Sequence, residues 1–379
     1  MVKLSKTFKY VIRKARSPFV SLKLYIKKQM GWLGVPIILP YMGFGNGRDV
    51  FISGSVIEDR SLSRPVEGQG WRSNLMATVR RYAGDEFAGV QVQVEFGGRK
   101  LSVETDEDGM FRCRFRFDEN ELPRERWQKA RFRLLDEIVP GQPAMPVSGD
   151  VLVVCNRPEQ IILSDVDDTF LVSHSTKFFR KIRLLLFRNA LTRLPFPGVA
   201  AFYKALVRGK EKDGFNPIFF VSSSEWNLYD LLIEFCNHRG IPRGPFLLKK
   251  MRTSVLDFLK SGGGHHEHKL EKFRYLFEMF KDSEFILIGD SGQKDPEIFL
   301  TIAKEFPGRI RAIYIRCIGS EKKLKRTRSL SEEARSMNVD MILAENTEAA
   351  ARHAVEKGYI DRGSLPGIIS EKKEDLRKG

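Results

Sequence analysis

Residues 161–169, Ile161-Ile162-Leu163-Ser164-Asp165-Val166-Asp167-Asp168-Thr169, decide how the carboxyl-terminal half of this chain folds. A short apolar run passes, within one residue, into a cluster of carboxylates. Four further apolar runs of similar length follow at 218–221, 285–288, 312–315 and 341–343, with amphipathic helical stretches between them. Continuous apolar runs fit strands covered on both faces, so a parallel α/β sheet is expected over 156–360. In an open parallel sheet ligands gather at the carboxyl ends of the strands, which is where the Asp165 cluster falls.

Two carboxylates two residues apart at such an end can share one reacting centre. One can attack phosphorus while the other protonates the departing oxygen; the plainer reading is an acidic loop. A second strand ends in hydroxyls, Ile218-Phe219-Phe220-Val221-Ser222-Ser223-Ser224. A hydroxyl there can donate to a phosphoryl oxygen as charge grows on it, although Ser clusters also serve as turns and helix caps. The next helix is expected to start near Trp226. A third strand ends in Gly289-Asp290-Ser291-Gly292-Gln293-Lys294-Asp295-Pro296. Mg²⁺ takes hard oxygen ligands and keeps part of its water. Asp290 can supply one carboxylate, and Asp295 can ligate the ion or orient a metal-bound water. Asp295 is also compatible with a helix cap, and Pro296 suits the first turn of a helix.

Between the second and third ends lies Gly262-Gly263-Gly264-His265-His266-Glu267-His268-Lys269. Three close histidines suggest a metal at first sight, but they lack the i, i+4 spacing of helical zinc sites, and a Gly run marks a loop. Lys269 is the better functional candidate, because a fixed ammonium beside Asp165 would offset the charge of nucleophile and phosphate.

The order strand–DxDxT, strand–Ser, Lys, strand–GDxxxxD resembles the four-motif set of the haloacid dehalogenase superfamily. The wording VSSSEWNLYDLL (221–232), ILIGDSGQKDPEIF (286–299) and RIRAIYIR (309–316) resembles, more narrowly, the actin-patch-associated phosphatidate phosphatase family, over about residues 158–360. One departure is Glu225, where that family usually carries Pro. The resemblance implies a haloacid-dehalogenase-like Rossmannoid sheet, an aspartyl-phosphate on Asp165 and acid/base work by Asp167. It also implies phosphate contacts from Ser222 and Lys269, and Mg²⁺ held by Asp165, the main-chain carbonyl of Asp167 and Asp290. Ser223 and Thr169 are assigned to substrate binding. Aspartate at 167 favours phosphate hydrolysis over dehalogenation, and the family's characterised reaction is removal of phosphate from phosphatidate.

The remaining sequence sets the context. The chain has 379 residues, 42% of them apolar, and a net charge of +16. At roughly 100–200 residues per domain, two domains are expected. Residues 1–34 read as a basic amphipathic leader, which Pro18 would break into two helices. Residues 35–155 read as a small antiparallel β-sandwich, because Val90, Val92, Val94, Phe96 and Phe111, Cys113, Phe115, Phe117 alternate with polar residues. A helix is expected near 73–82, and residues 361–379 read as a charged tail. Cys113, Cys155, Cys236 and Cys317 form no CxxC pair, which argues for free thiols in a reducing compartment.

No window approaches the roughly 20 apolar residues of a membrane span, and no secretory signal is recognisable. Residues 1–48 contain ten Lys or Arg and no acid, and residues 169–210 contain nine and no acid. Such blocks attract anions. Together with the apolar residues of 1–34 and 177–193, they lead to the expectation of a cytoplasmic protein peripheral on an anionic membrane, not a nucleic-acid binder. Two alternatives stay open: a soluble phosphomonoesterase acting on another ester or a nucleic-acid end, and a non-catalytic basic membrane-binding protein.

Overall fold

A computed structural model describes residues 18–59, 85–119, 121–142, 145–155, 157–166, 197–211, 214–223, 226–248, 265–318 and 320–378. Asp167, Thr169, the helix expected near 73–82 and the stretch 177–193 lie outside the described residues. The chain divides into two compact units, residues 1–156 with 230–234, and residues 157–229 with 235–379.

The first unit begins with helix α1 (Pro18–Gln29), for which Pro18 supplies the first helical position. Strands β1 (Val35–Pro40), β2 (Gly43–Gly45), β3 (Asp49–Asp59), β4 (Gln91–Phe96), β5 (Arg99–Glu104), β6 (Met110–Arg116), β7 (Trp127–Leu134) and β8 (Val147–Val153) follow. They form one hydrogen-bonded sheet, in which β3 pairs with β1, β2 and β6. Against the expected antiparallel sandwich, the strands are joined by hydrogen bonds into one network. All pairs are antiparallel except β2 with β8, and the strands share a single sheet because the 11-residue β3 serves partners on both of its edges.

That sheet curls over its own core. Phe96 and Phe115, on strands that do not pair, have ring centroids 6.0 Å apart, and Phe111 and Phe132 are 5.7 Å apart. Alternation accounts for this: β4 buries Val92, Val94 and Phe96 and turns Gln91, Gln93 and Glu95 outward. Each fully buried Phe or Val side chain contributes about 1.5–3 kcal/mol.

The second unit has a six-stranded sheet, every pair parallel, in the order β11-β10-β9-β12-β13-β14. Its elements are β9 (Ile161–Asp165), α2 (Val199–Arg208), β10 (Ile218–Val221), α3 (Tyr229–His238), β11 (Phe246–Leu247), α4 (His265–Met279), β12 (Phe285–Asp290), α5 (Asp295–Glu305), β13 (Ile310–Arg316), α6 (Glu321–Ser336), β14 (Asp340–Ala344), α7 (Thr347–Glu356) and α8 (Leu365–Lys378). The five apolar runs read from the sequence are β9, β10, β12, β13 and β14. The sixth strand, β11, has only two residues. A 3₁₀ turn at Trp226–Leu228 precedes α3.

Both faces of this sheet are covered. Ser164, Phe220, Ile288 and Tyr314 stand in register, and two of them meet α2, with Tyr203 at 6.5 Å from Phe220 and Phe202 at 5.6 Å from Tyr314. On the opposite face Phe277 of α4 stacks on Phe285 at 3.8 Å. The C-terminal stretch, expected to fray, instead forms α8. Ile368 of α8 is buried, and its Asp375 and Glu371 accept the backbone N–H groups of Gly198 and Ala201 at 2.8 and 2.9 Å. These carboxylates satisfy donors at the start of α2 that a helix leaves open, which is why a charged tail becomes an ordered element.

Candidate active site

Three strand ends and two helices build the site. Asp165 closes β9 in register with Val221 of β10, so Ser222 follows one residue beyond that partner. Asp290 closes β12 in register with Arg316 of β13. Asp295 opens α5. The carboxylates of Asp165, Asp290 and Asp295 each place an oxygen within 4.8 Å of the others.

Lys269 enters this cluster from α4. Its Nζ lies 2.7 Å from Asp165 Oδ1 and donates to Asp295 Oδ1 at 2.5 Å. Asp295 Oδ2 accepts the Asp290 backbone N–H at 3.0 Å. Both oxygens of Asp295 are thus engaged inside the protein, and it holds the third strand end against α4. Asp290 Oδ1 accepts from the backbone N–H groups of Gly292 and Gln293 at 2.7 and 3.0 Å. Gly289 has a specific reason to be glycine: a Cβ there would stand 2.5 Å from Asp295 Oδ2.

Charge and donor type fit a divalent cation. Three carboxylates in so small a space repel one another unless cations sit among them, and Lys269 supplies a single positive charge. The remaining excess is negative and lies in a largely buried setting, built from the hard oxygen donors that Mg²⁺ prefers. Among the described residues, Asp165, Asp290 and Asp295 could hold such an ion.

Two features of the site escaped sequence reading. Lys272 is buried and its Nζ donates to the backbone oxygen of Ser222 at 2.5 Å, which fixes the turn after β10. Its signal was present: 269, 272, 273, 276 and 277 recur at three and four residues, so both lysines share the buried stripe of α4 with Phe273, Leu276 and Phe277. The second is Tyr203 of α2, whose hydroxyl lies 2.7 Å from Ser164 Oγ, beside Asp165 in sequence. Burial pushes its phenol up to about 12, with Asp165 adding to the rise against the Ser164 hydrogen bond, so it keeps its proton at neutral pH.

A cavity of ≈ 70 Å³ opens beside Asp165 and Asp290, lined mainly by apolar side chains such as Phe202, Phe220 and Ile288, with Arg316 among its few polar groups. The other site residues read from the sequence are distributed as follows. Ser222 is buried at the end of β10, and Ser223 follows it in the same turn. Asp167, Thr169, Ser224 and Glu225 lie outside the described residues. His268 is exposed and pairs with Glu271 at 3.4 Å. The His265 and His266 side chains lie outside the described set, and among the described residues the aspartate trio is the one metal-capable cluster.

Comparison with known proteins follows the same residues. Residues 160–317 match the family described as phosphatidate phosphatase APP1, catalytic domain. Phosphatidate phosphatase APP1 of Saccharomyces cerevisiae is 31% identical over 156 residues, which is 41% of this chain and 25% of that protein. An uncharacterised protein of Schizosaccharomyces pombe is 25% identical over 168 residues, 44% of this chain and 27% of that protein. The match therefore spans about a quarter of the length of these curated relatives. Among solved structures, a carbohydrate acetylesterase from Xanthomonas citri aligns with a TM-score of 0.25 and 11% identity, over 79% of this chain and 75% of that one, too weak a likeness to bear on fold or activity.

Proposed function

We propose that this chain is a Mg²⁺-dependent phosphoric monoester hydrolase acting on phosphatidate, on the strength of the match of residues 160–317 to the family described as phosphatidate phosphatase APP1, catalytic domain. The observation that carries the reading is the convergence of Asp165, Asp290 and Asp295 around Lys269 at the carboxyl ends of a parallel sheet. With the first-motif strand β9 between β10 and β12, the sheet is read as a haloacid-dehalogenase-like Rossmannoid core.

In this mechanism a carboxylate oxygen of Asp165 attacks phosphorus. The bond from that oxygen to phosphorus forms as the bond from phosphorus to the lipid oxygen breaks, and Asp167 gives its proton to the departing diacylglycerol oxygen. Water then attacks the aspartyl-phosphate, Asp167 takes back a proton, and inorganic phosphate and free Asp165 result. Lys269 offsets the charge of nucleophile and phosphoryl group, and the Ser222 hydroxyl donates to a phosphoryl oxygen. Ser223 and Thr169 complete the phosphate contacts. Mg²⁺, held by Asp165, Asp290 and the main-chain carbonyl of Asp167, would supply further positive charge at the phosphoryl oxygens. Asp295 acts by positioning, since both of its oxygens already hold Asp290 and Lys269.

The cavity beside Asp165 and Asp290 is lined mainly by apolar side chains, which suits the carbons next to an ester phosphate. Action by a peripheral protein at a cytoplasmic membrane surface is supported by the acid-free basic block of residues 1–48, which would attract anionic lipid. Among the described residues no helix is long and apolar enough to cross a membrane. The same cavity also suits a soluble ester, which keeps that reading as the second.

The test is phosphate release from phosphatidate vesicles and from a panel of soluble phosphomonoesters, with Mg²⁺ and with chelator. Mg²⁺-dependent release from phosphatidate is expected. Release from soluble esters alone would favour the second reading, and no release from any substrate would overturn both.

A further inference from the structure

Helix α1 sits on its unit with its polarity inverted. Its inward face carries Leu24, Lys27 and Lys28, spaced i, i+3, i+4. Leu24 is wholly buried in the core of the first unit. Lys27 Nζ donates to both Glu58 oxygens at 2.5 Å and to Asp85 Oδ2 at 2.8 Å, and Lys28 Nζ donates to the Ile138 backbone oxygen at 2.8 Å. These contacts fix which way the helix faces. The opposite face carries Leu22, Tyr25, Ile26 and Met30, spaced i, i+3, i+4, i+8, which are 56, 36, 45 and 51% exposed. Trp32, 65% exposed, is held just beyond by its backbone N–H, which donates to Lys27 O at 2.7 Å. An ordinary surface helix turns such a stripe inward.

We propose that Leu22, Tyr25, Ile26, Met30 and Trp32 form a docking edge that enters the headgroup region of an anionic bilayer. Charge chooses this occupant. The stripe lies in a 48-residue stretch with ten cations and no acid, six of them (Lys3, Lys6, Lys9, Arg13, Lys14 and Arg16) immediately preceding the helix in sequence. Basic charge beside an exposed apolar stripe is the pattern of interfacial helices, and Trp and Tyr favour the headgroup level. A second copy of this chain fits less well. The five side chains offer on the order of 500 Å², below the ~800 Å² each partner gives to a standard interface, and the copy would bring the same positive block against its like. The inference deepens the membrane reading above and rests on it, while the phosphatase chemistry is separate.

The experiment is co-flotation of the purified full chain with vesicles of phosphatidylcholine, with and without phosphatidylserine. No phosphatidate is present, so the result is independent of turnover. The triple variant Leu22→Gln, Ile26→Gln, Trp32→Gln is expected to bind serine-containing vesicles about tenfold more weakly or worse, with an unchanged thermal midpoint and unchanged turnover of a soluble ester. Trp32 fluorescence, taken as the difference from Trp32→Phe, is expected to shift to the blue on adding anionic vesicles. Equal binding by wild type and triple variant, or a Trp32 signal that ignores vesicles, would overturn the proposal. So would loss of a wild-type dimer in the variant with vesicle binding unchanged, which would make a second copy the occupant.

Discussion

Lys269 Nζ stands 2.7 Å from Asp165 Oδ1, with only 3% and 2% of the two side chains exposed. Solvent screens such a pair little, so the ammonium stabilises the negative charge of the Asp165 carboxylate. Lys269 is also the charge partner of two buried carboxylates, Asp165 and Asp295, so its loss would leave them uncompensated.

Asp165→Asn removes the carboxylate proposed to attack phosphorus while keeping shape. Turnover is expected to fall by about three orders of magnitude or more, since the nucleophile of a covalent mechanism has no substitute. Phosphate release measures the loss, and an unchanged circular dichroism melt shows that the fold survives. Substantial Mg²⁺-dependent release by this variant would remove Asp165 from the role.

Lys269→Met keeps bulk and deletes charge. Asp165 and Asp295 then lose their shared buried cation, and breaking such a pair costs about 3–5 kcal/mol. A lowered denaturant midpoint with an unchanged slope is the expected signature. A variant as stable as wild type would mean that water or an ion replaces the ammonium.

Gly289→Ala tests the close approach of Asp295. The added methyl would meet Asp295 Oδ2 at 2.5 Å, and overpacking of this kind costs about 1–3 kcal/mol. Because Asp295 holds both the Asp290 amide and Lys269, turnover is expected to fall as well. Full activity across a Mg²⁺ titration would show that the cluster tolerates the shift.

Mg²⁺ is expected to raise the thermal midpoint of the wild type, because a ligand that binds only the folded state adds about 2.7 kcal/mol at a hundred times its dissociation constant. Asp290→Asn should lose most of this response. A midpoint indifferent to Mg²⁺ and to chelator in the wild type would argue against the ion.

The anchor of α1 gives a pH dependence. Burial raises the carboxyl of Glu58, but the Lys27 hydrogen bond and charge, with the backbone N–H groups of Gly34 and Asp85, bring it below the usual carboxylate range. A depressed folded-state value adds stability that is complete above the unfolded value and is lost as pH falls through the folded one. Between about pH 6 and pH 3 the wild type should therefore lose more stability than Glu58→Gln. Parallel pH profiles of the two melts would show that Glu58 carries none of it.

The sheet that positions the site was legible in the sequence because its strands are covered on both faces, and continuous apolar runs have few other uses. Strand β11 was not, since Phe246 and Leu247 are too few to display a period. Lys269 was legible from its place among the motifs. Lys272 was overlooked because a lysine on a helix is ordinarily solvated, and only the buried stripe around Phe273 marks it as interior. The first unit's alternation gave inward and outward residues along β4 and β6. It could not reveal that β3 joins the strands into one sheet, because hydrogen-bond partnership leaves no trace in hydropathy. The direction in which α1 faces was hidden for a related reason: Glu58 and Asp85, distant in sequence, turn Lys27 inward.

The two oxygens of Asp295 tie the amide of Asp290 to the ammonium of Lys269. One side chain thus works as a rigid strut between a strand end and a helix. Its removal from either partner would strand a charge or an amide away from water, so the spacing between Asp290 and Lys269 is expected to be held firmly. Hydrogen exchange at the amide of residue 290 is then expected to report the opening of the whole α/β unit instead of local breathing.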